Sequence, residues 1–198
     1  MTPLFGLVLA GGASSRMQAD KAALAYGARP QLAVAFDLLM PRVERAYVSA
    51  RPDQAGDPLR ARYPLIVDGG TGRGPIAGII AAQARHPEAA WLVIACDLPL
   101  LDDVTLVELI ARRDPGRLAT AFRSATDGLP EPLCAIYEPA SRAAILDHVA
   151  AGRDCPRKFL MTHDALLIEP RISAALENAN TPAEAAAARA VLARRGAA

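Results

Sequence analysis

Cysteine is scarce in this chain. Its three cysteines, Cys96, Cys134 and Cys155, lie far apart and fall into no CxxC or Cys/His spacing, so neither a disulfide framework nor a zinc site is expected. Long apolar runs are missing too. The longest includes Trp91 to Cys96 and falls far below the roughly 20 residues that cross a bilayer. Met1 to Ala10 lacks the basic segment of a signal peptide, so the expectation is no anchor, no membrane partner and a cytoplasmic protein. An excess of one charge is also absent: 22 Lys+Arg face 21 Asp+Glu, a net charge of +1. No long-range field draws the chain to nucleic acid, and any anion it binds must be met by a local cluster. The three histidines, His86, His148 and His163, show no ligand-like spacing and are expected at the surface. Cys96 has no partner histidine and reads as a small buried filler.

The chain does hold the material of a globular core: 198 residues, 52% hydrophobic and 22% charged, enough to fold as one domain without staples. Leu4 to Ala10 and Trp91 to Ala95 are continuous apolar runs of strand length, expected to be buried on both faces. Arg45 to Ala50 and Pro64 to Val67 are further strand candidates. Gln31 to Met40 and Ile76 to Arg85 carry helical spacing, as does Asp103 to Arg113 with Asp102 or Asp103 as its N-cap. Two strands, Leu118 to Phe122 and Pro132 to Tyr137, flank a turn at Asp127-Gly128. Helices over Ala140 to Ala151 and Pro156 to Met161, a strand over Ala165 to Glu169 and a helix over Pro182 to Arg195 complete the chain, the last with Thr181 as N-cap. Strands alternating with helices predict an α/β fold, a doubly wound and mostly parallel Rossmann-like sheet, with an antiparallel excursion in the second half. Ligands of such sheets sit outside the carboxyl ends of the strands.

Three unusual stretches fall at those ends. Leu9-Ala10-Gly11-Gly12 opens a loop that continues through Arg16 to Lys21. Glycines let backbone N–H groups approach a ligand, and two cations five residues apart would offset triphosphate charge; a plain strand–helix turn with solvated cations is the other reading. The loop is neither a P-loop nor a dinucleotide fingerprint. Asp68 to Gly78 holds Gly69, Gly70, Gly72 and Gly74 before a helix start, which suits a backbone wrapped around a flat group, or simply a flexible connection. Cys96-Asp97-Leu98-Pro99 fixes a carboxylate at the end of a buried strand, suited to Mg²⁺ or to capping a helix. Asn178 to Pro182 offers side-chain amides to a heteroaromatic edge or to the helix start. Arg157 and Lys158 read as a second phosphate contact or a solvated basic helix start.

Taken together these residues resemble the molybdenum cofactor guanylyltransferases. The matching pieces are LAGG at Leu9 to Gly12, RMxxDK at Arg16 to Lys21, GPIAG at Gly74 to Gly78, CDLPLL at Cys96 to Leu101 and NANTP at Asn178 to Pro182. They stand in the family's order across nearly the whole chain. The resemblance implies a Mg²⁺-dependent nucleotidyltransferase that moves GMP from GTP to molybdopterin, the molybdenum cofactor, with release of pyrophosphate. It implies that Leu9, Ala10, Gly11, Gly12, Lys21, Asp68, Gly74 and Gly78 hold the nucleotide. Arg16, Lys21 and Asp97 would be catalytic, Asp97 also the metal ligand, with Asn180 and Thr181 near the acceptor. Residues 1–100 would then form the nucleotide half and 101–198 the acceptor half of a single domain. The product implies transient contact with molybdoenzymes or their chaperones. The chain departs from the family at Gln18, where Gly is usual, and at Ser49-Ala50-Arg51-Pro52, which lacks the usual Asn. A cytidylyl or sugar-phosphate nucleotidyltransferase of the same fold, and a non-catalytic cofactor-delivery module, are the competing readings.

Overall fold

The apolar runs Leu4–Leu9 (β1) and Ala90–Ala95 (β4) offer no polar face to solvent, so each must be covered on both sides. In the computed structural model, which describes residues 2–12 and 20–196, they run parallel and side by side within a seven-stranded sheet. The other strands are Arg45–Ala50 (β2), Leu65–Val67 (β3), Ala119–Arg123 (β5), Pro130–Tyr137 (β6) and Ala165–Ile168 (β7). Their order is β3-β2-β1-β4-β6-β5-β7. Among the described strands only β6 runs against the rest, antiparallel to both β4 and β5. This is the doubly wound, mostly parallel α/β fold expected from the sequence, and β6 is its antiparallel excursion.

Period-two alternation divides the core between the two faces. Val8, Leu92 and Ile94 point to one side, where they join Leu32 and Leu39 of Gln31–Leu39 (α1) and Leu106 of Asp103–Ala111 (α3). Leu7, Trp91 and Val93 point to the other, against Ile76 and Ile79 of Pro75–Arg85 (α2) and Ile145 of Ser141–Ala150 (α4). Pro156–Thr162 (α5) adds Phe159 to that second layer. Each fully buried Leu, Ile or Val stabilises the fold by roughly 1.5–3 kcal/mol. Pro182–Gly196 (α6) stands apart and packs Ala185 and Ala188 on Tyr26 and Leu100. No described helix is long and apolar enough to cross a membrane.

The caps decide between readings that the sequence left open. α3 is capped by Asp102, whose carboxylate accepts from the Thr105 backbone N–H at 3.0 Å, which leaves Asp97 for other work. α2 starts one residue earlier than expected, at Pro75, because Gly74 takes φ 63° as its N-cap. A side chain at Gly74 would be strained in that conformation, and the missing N–H of proline is harmless at a first helical position.

One expectation is corrected. His148 does not sit at the surface but on the buried side of α4, 1% exposed, with its ring edge-on to Phe159 at 5.6 Å. Neither of its ring nitrogens has a hydrogen-bond partner. Burial, helped by the nearby charge of Arg153, pushes the imidazole pKa below its usual value. On acidification the unfolded chain therefore begins to take up a proton at His148, below about pH 6.5, before the folded chain does. Stability from this group is complete above that pH and falls as the solution is acidified, by up to about 1.4 kcal/mol per pH unit. Urea unfolding between pH 7.5 and 5 should show that decline, and His148→Phe should flatten it.

Candidate active site

From β1 the chain winds outward through β2 and β3 on one side and returns to β4 on the other, so a crevice opens at the carboxyl ends of β1 and β4. It holds a cleft of about 310 Å3. Leu9, Ala10, Gly11 and Gly12 wall it from the end of β1, Asp68 and Gly74 from the loop after β3, and Lys21 and Asp97 close it. The two glycine-rich loops and the Asp97 turn, found separately in the sequence, thus meet at one site. Arg16 lies outside the described residues.

Lys21 and Asp97 form the charged centre. Lys21 Nζ donates to Asp97 Oδ2 at 2.9 Å, with side chains 19% and 18% exposed, and it also donates to the Asn180 side-chain oxygen. The other carboxylate oxygen, Asp97 Oδ1, is buried with no hydrogen-bond partner. An orphaned buried acceptor costs roughly 1–3 kcal/mol, so it marks a place for a group that arrives with the ligand. A hard cation suits it. Mg²⁺ takes one or two protein carboxylates and completes its shell with substrate phosphates and water. Asp68, half-buried on the opposite wall, has its pKa raised by burial against the opposing pull of Arg51. Cys96 is no nucleophile: burial, reinforced by the charge of Asp97, pushes its thiol up to about 12.

The glycine loop is held by two arginines from the segment between β2 and β3. Arg51 donates to the Gly11 carbonyl at 2.5 Å and grips Asp53 with its other nitrogens. Arg60, only 1% exposed, donates to the Ala10 carbonyl at 2.7 and 3.1 Å. The same guanidinium binds both oxygens of Asp20 at 2.7 and 2.8 Å and Asp57 at 3.0 Å. Asp20 directly precedes Lys21 and accepts from the Ala22 N–H, so Arg60 fixes the turn from which Lys21 reaches Asp97. The sequence reading missed Arg60. Its only local signal is Asp57 three residues earlier, which looks like an exposed turn, while its main partner stands 40 residues away.

The comparisons with known proteins agree with this geometry. The sequence profile described as a MobA-like NTP transferase domain matches residues 6–167. The chain belongs to that family. It is a nucleotidyltransferase. It is 39% identical over 182 residues to a Synechocystis protein named molybdenum cofactor biosynthesis bifunctional protein, covering 91% of this chain and 52% of that one, about half its length. It is 31% identical to a probable molybdenum cofactor guanylyltransferase of Deinococcus radiodurans, over 94% of both chains. The fold matches that of a molybdopterin-guanine dinucleotide biosynthesis protein A from Archaeoglobus fulgidus, with a TM-score of 0.80 at 20% identity over 96% of this chain and 99% of that one.

The part of this nucleotidyltransferase beyond the matched region still reaches the site. The Ala179 N–H donates to the Asp97 carbonyl at 3.0 Å, which sets Asn180 against Lys21. Thr181 serves the helix: its hydroxyl accepts from the Glu184 N–H, and the Glu184 carboxylate accepts from the N–H groups of Thr181 and Asn180 at 3.0 and 2.6 Å. Those N–H bonds hold the Glu184 pKa below its ordinary value. Gly78 does not line the cleft. A Cβ there would lie 2.9 Å from Leu9 Cδ2 and closer still to the Ser49 hydroxyl, so it is the point where α2 crosses the sheet. Arg157 is neutralised rather than solvated, bonded to Asp127 at 3.0 Å and Glu131 at 3.3 Å.

Arg60→Ala should destabilise the protein by about 2–3 kcal/mol, since it leaves the Ala10 carbonyl unmet and removes the guanidinium that holds Asp20 and Asp57, each about a third exposed. Chemical denaturation checks it, and a loss below about 1 kcal/mol would mean that water replaces the guanidinium.

Proposed function

We propose that this nucleotidyltransferase is a cytoplasmic enzyme that transfers GMP from GTP to molybdopterin or its molybdate-loaded form. The observation that carries the reading is the Asp97–Lys21 pair at the meeting point of the two glycine loops, with Asp97 Oδ1 buried and unpartnered. Relatives named as molybdenum cofactor guanylyltransferases supply the base and the acceptor.

An oxygen of the pterin's terminal phosphate bonds to the α-phosphorus of GTP as the bond from that phosphorus to the bridging α–β oxygen breaks, and pyrophosphate leaves. The acceptor brings its own nucleophile, so the protein needs none; its task is to align two polyanions and offset their charge. Lys21 and Arg16 would offset the charge of the triphosphate, and the backbone from Leu9 to Gly12 would cradle it. Asp68 and the loop to Gly74 bound the base and ribose, with Gly78 behind them as a packing support. Asp97, through Oδ1, would hold Mg²⁺, which supplies Lewis-acid neutralisation of phosphate charge when bound. Asn180 orients Lys21 at the acceptor side, and Thr181 holds the helix that carries Asn180. In this reading residues 1–100 form the nucleotide half and 101–198 the acceptor half of one domain. The product is passed on by transient contact with molybdoenzymes or their chaperones.

Pyrophosphate release should occur with molybdopterin, Mg²⁺ and GTP, and not when CTP, ATP or UTP replaces GTP. A preference for CTP would keep the chemistry and overturn the base; no release with any nucleotide would overturn the acceptor. Asp97→Asn should fold with an unchanged melting temperature and lose turnover by about 10²–10³-fold. Full activity of that variant at saturating Mg²⁺ would remove Asp97 from the reaction.

A further inference from the structure

A second cavity lies beside the nucleotide cleft. It measures about 440 Å3 and is bounded by the β5–β6 turn, the start of α5 and the lead-in to α6. A hollow of about 50 Å3 connects the two. The hollow shares Leu133 with the cleft and Glu131, Arg157, Leu176 and Asn178 with the larger cavity, and it includes Leu98, the neighbour of Asp97. The three spaces form one run along the carboxyl edge of the sheet.

The irregular course of β6 puts a carboxylate in that run. Between paired positions β6 moves from Ala135 to Glu131 while β5 moves only from Ala121 to Phe122. Such bulges re-aim side chains and occur next to active sites. The Glu131 side chain is 14% exposed, and burial lifts its pKa above the usual carboxylate range. Its ion-pair partner is Arg157, which reaches Glu131 Oε2 at 3.3 Å and shares its charge with Asp127 at 3.0 Å. The Ser124 hydroxyl also donates to the Glu131 carboxylate, so one long bond from Arg157 and one from Ser124 leave about half of its roughly four acceptor sites open, and a desolvated carboxylate is costly unless a ligand completes it.

We propose that Glu131 reads the acceptor heterocycle, taking the adjacent ring N–H and exocyclic amino group of a 2-amino-4-oxo pyrimidine edge, with Asn178 beside it and Arg157 as its counter-charge. The assignment of that edge to a pterin rests on the transfer reading above. Guanine presents the same pair of donors. The nucleotide cleft, however, already has a half-buried carboxylate of its own in Asp68, so the base is accounted for there and the second cavity falls to the acceptor. A site built to pair with donors rejects an analogue that lacks them, because its buried acceptors are then left unpaired.

Fluorescence titration of the whole protein with 6-hydroxymethylpterin and with 6-hydroxymethyllumazine, in which a carbonyl replaces the amino group, tests the proposal. The wild type should bind the pterin at least about tenfold more tightly than the lumazine. Glu131→Gln should shrink that preference to within about twofold, with an unchanged melting temperature and an unchanged KM for GTP, and Glu131→Asp should keep part of it. In the full reaction Glu131→Gln should raise the KM for molybdopterin about tenfold or more. Equal binding of both heterocycles by the wild type overturns the proposal even if the Gln variant fails to fold. A preference left intact in Glu131→Gln overturns it too, and so does a rise in the KM for GTP in place of that for molybdopterin, which would give the cavity to guanine. A wild type that prefers the pterin through Glu131 yet releases no pyrophosphate would leave the subsite standing and sink the transfer reading instead.

Discussion

A guanidinium sealed from water inside a small α/β protein is tolerated only if its donors are met by acceptors and its charge by carboxylates. Arg60 satisfies both conditions with the Ala10 carbonyl, Asp20 and Asp57. In doing so it ties the end of β1, the turn that follows the glycine loop, and the segment between β2 and β3 into one unit. Lys21 leaves that unit to meet Asp97, and Ala179 and Asn180 close the circuit from the far end of the chain. The positions of the reacting partners therefore depend on a side chain that does not line the cleft. This is the arrangement a transfer reaction without a protein nucleophile requires, since its rate comes from placement, and small displacements are costly.

The direction of β6 has a comparable reach. After β4 the chain crosses back through α3 to β5, which runs parallel to β4 but one strand position away, and β6 returns antiparallel into the place between them. The β5–β6 turn then lies at the carboxyl edge beside the start of α5. A sheet edge that serves one ligand in a simple doubly wound fold is thereby extended to hold two spaces joined at Leu133. Two substrates that must touch at their phosphates need that geometry.

Most of the fold was legible because its signals are local. The runs LFGLVL and AWLVIA are apolar on both faces, and only a buried strand accommodates them; RAYVSA matched its strand residue for residue. The loops after β1, β3 and β4 were legible for the same reason, since a strand end followed by glycines or by Asp-Leu-Pro is visible in sequence. What escaped the reading depends on distance. Arg60 looks like a surface residue until Asp20 is brought to it. His148 looks exposed until Phe159 and α5 close over it. Gly78 looks like part of a ligand loop, because a motif does not say that helix packing against Leu9 and Ser49 makes the same demand for a missing side chain. Thr181 and Asn180 are adjacent in one motif yet divided in role, one capping a helix and the other holding a lysine. Glu131 stands just outside the strand expected over Pro132 to Tyr137, and its place in the fold is set by a bulge that only pairing with β5 defines.

The acidic residues around the site show how pairing assigns work. Asp20 has both oxygens on Arg60 and nothing left to give a ligand strongly, so its part is structural. Asp97 has one oxygen on Lys21 and one buried without a partner, so half of it is committed to the protein and half is open to a group that arrives with a ligand. Asp68 and Glu131 are partly desolvated, each with an arginine near enough to lower its pKa but outweighed by burial. Carboxylates in that condition are poorly solvated acceptors, and the groups that suit them are neutral donors such as ring N–H and amino groups rather than further cations. Along the carboxyl edge these environments come in the order Asp68, Asp97, then Glu131, the order in which base, phosphates and acceptor would lie in the proposed guanylyl transfer. A reaction that joins two heterocycles carrying like edges through a polyanionic bridge would call for a neutral-donor reader at each end and a metal-binding carboxylate between them.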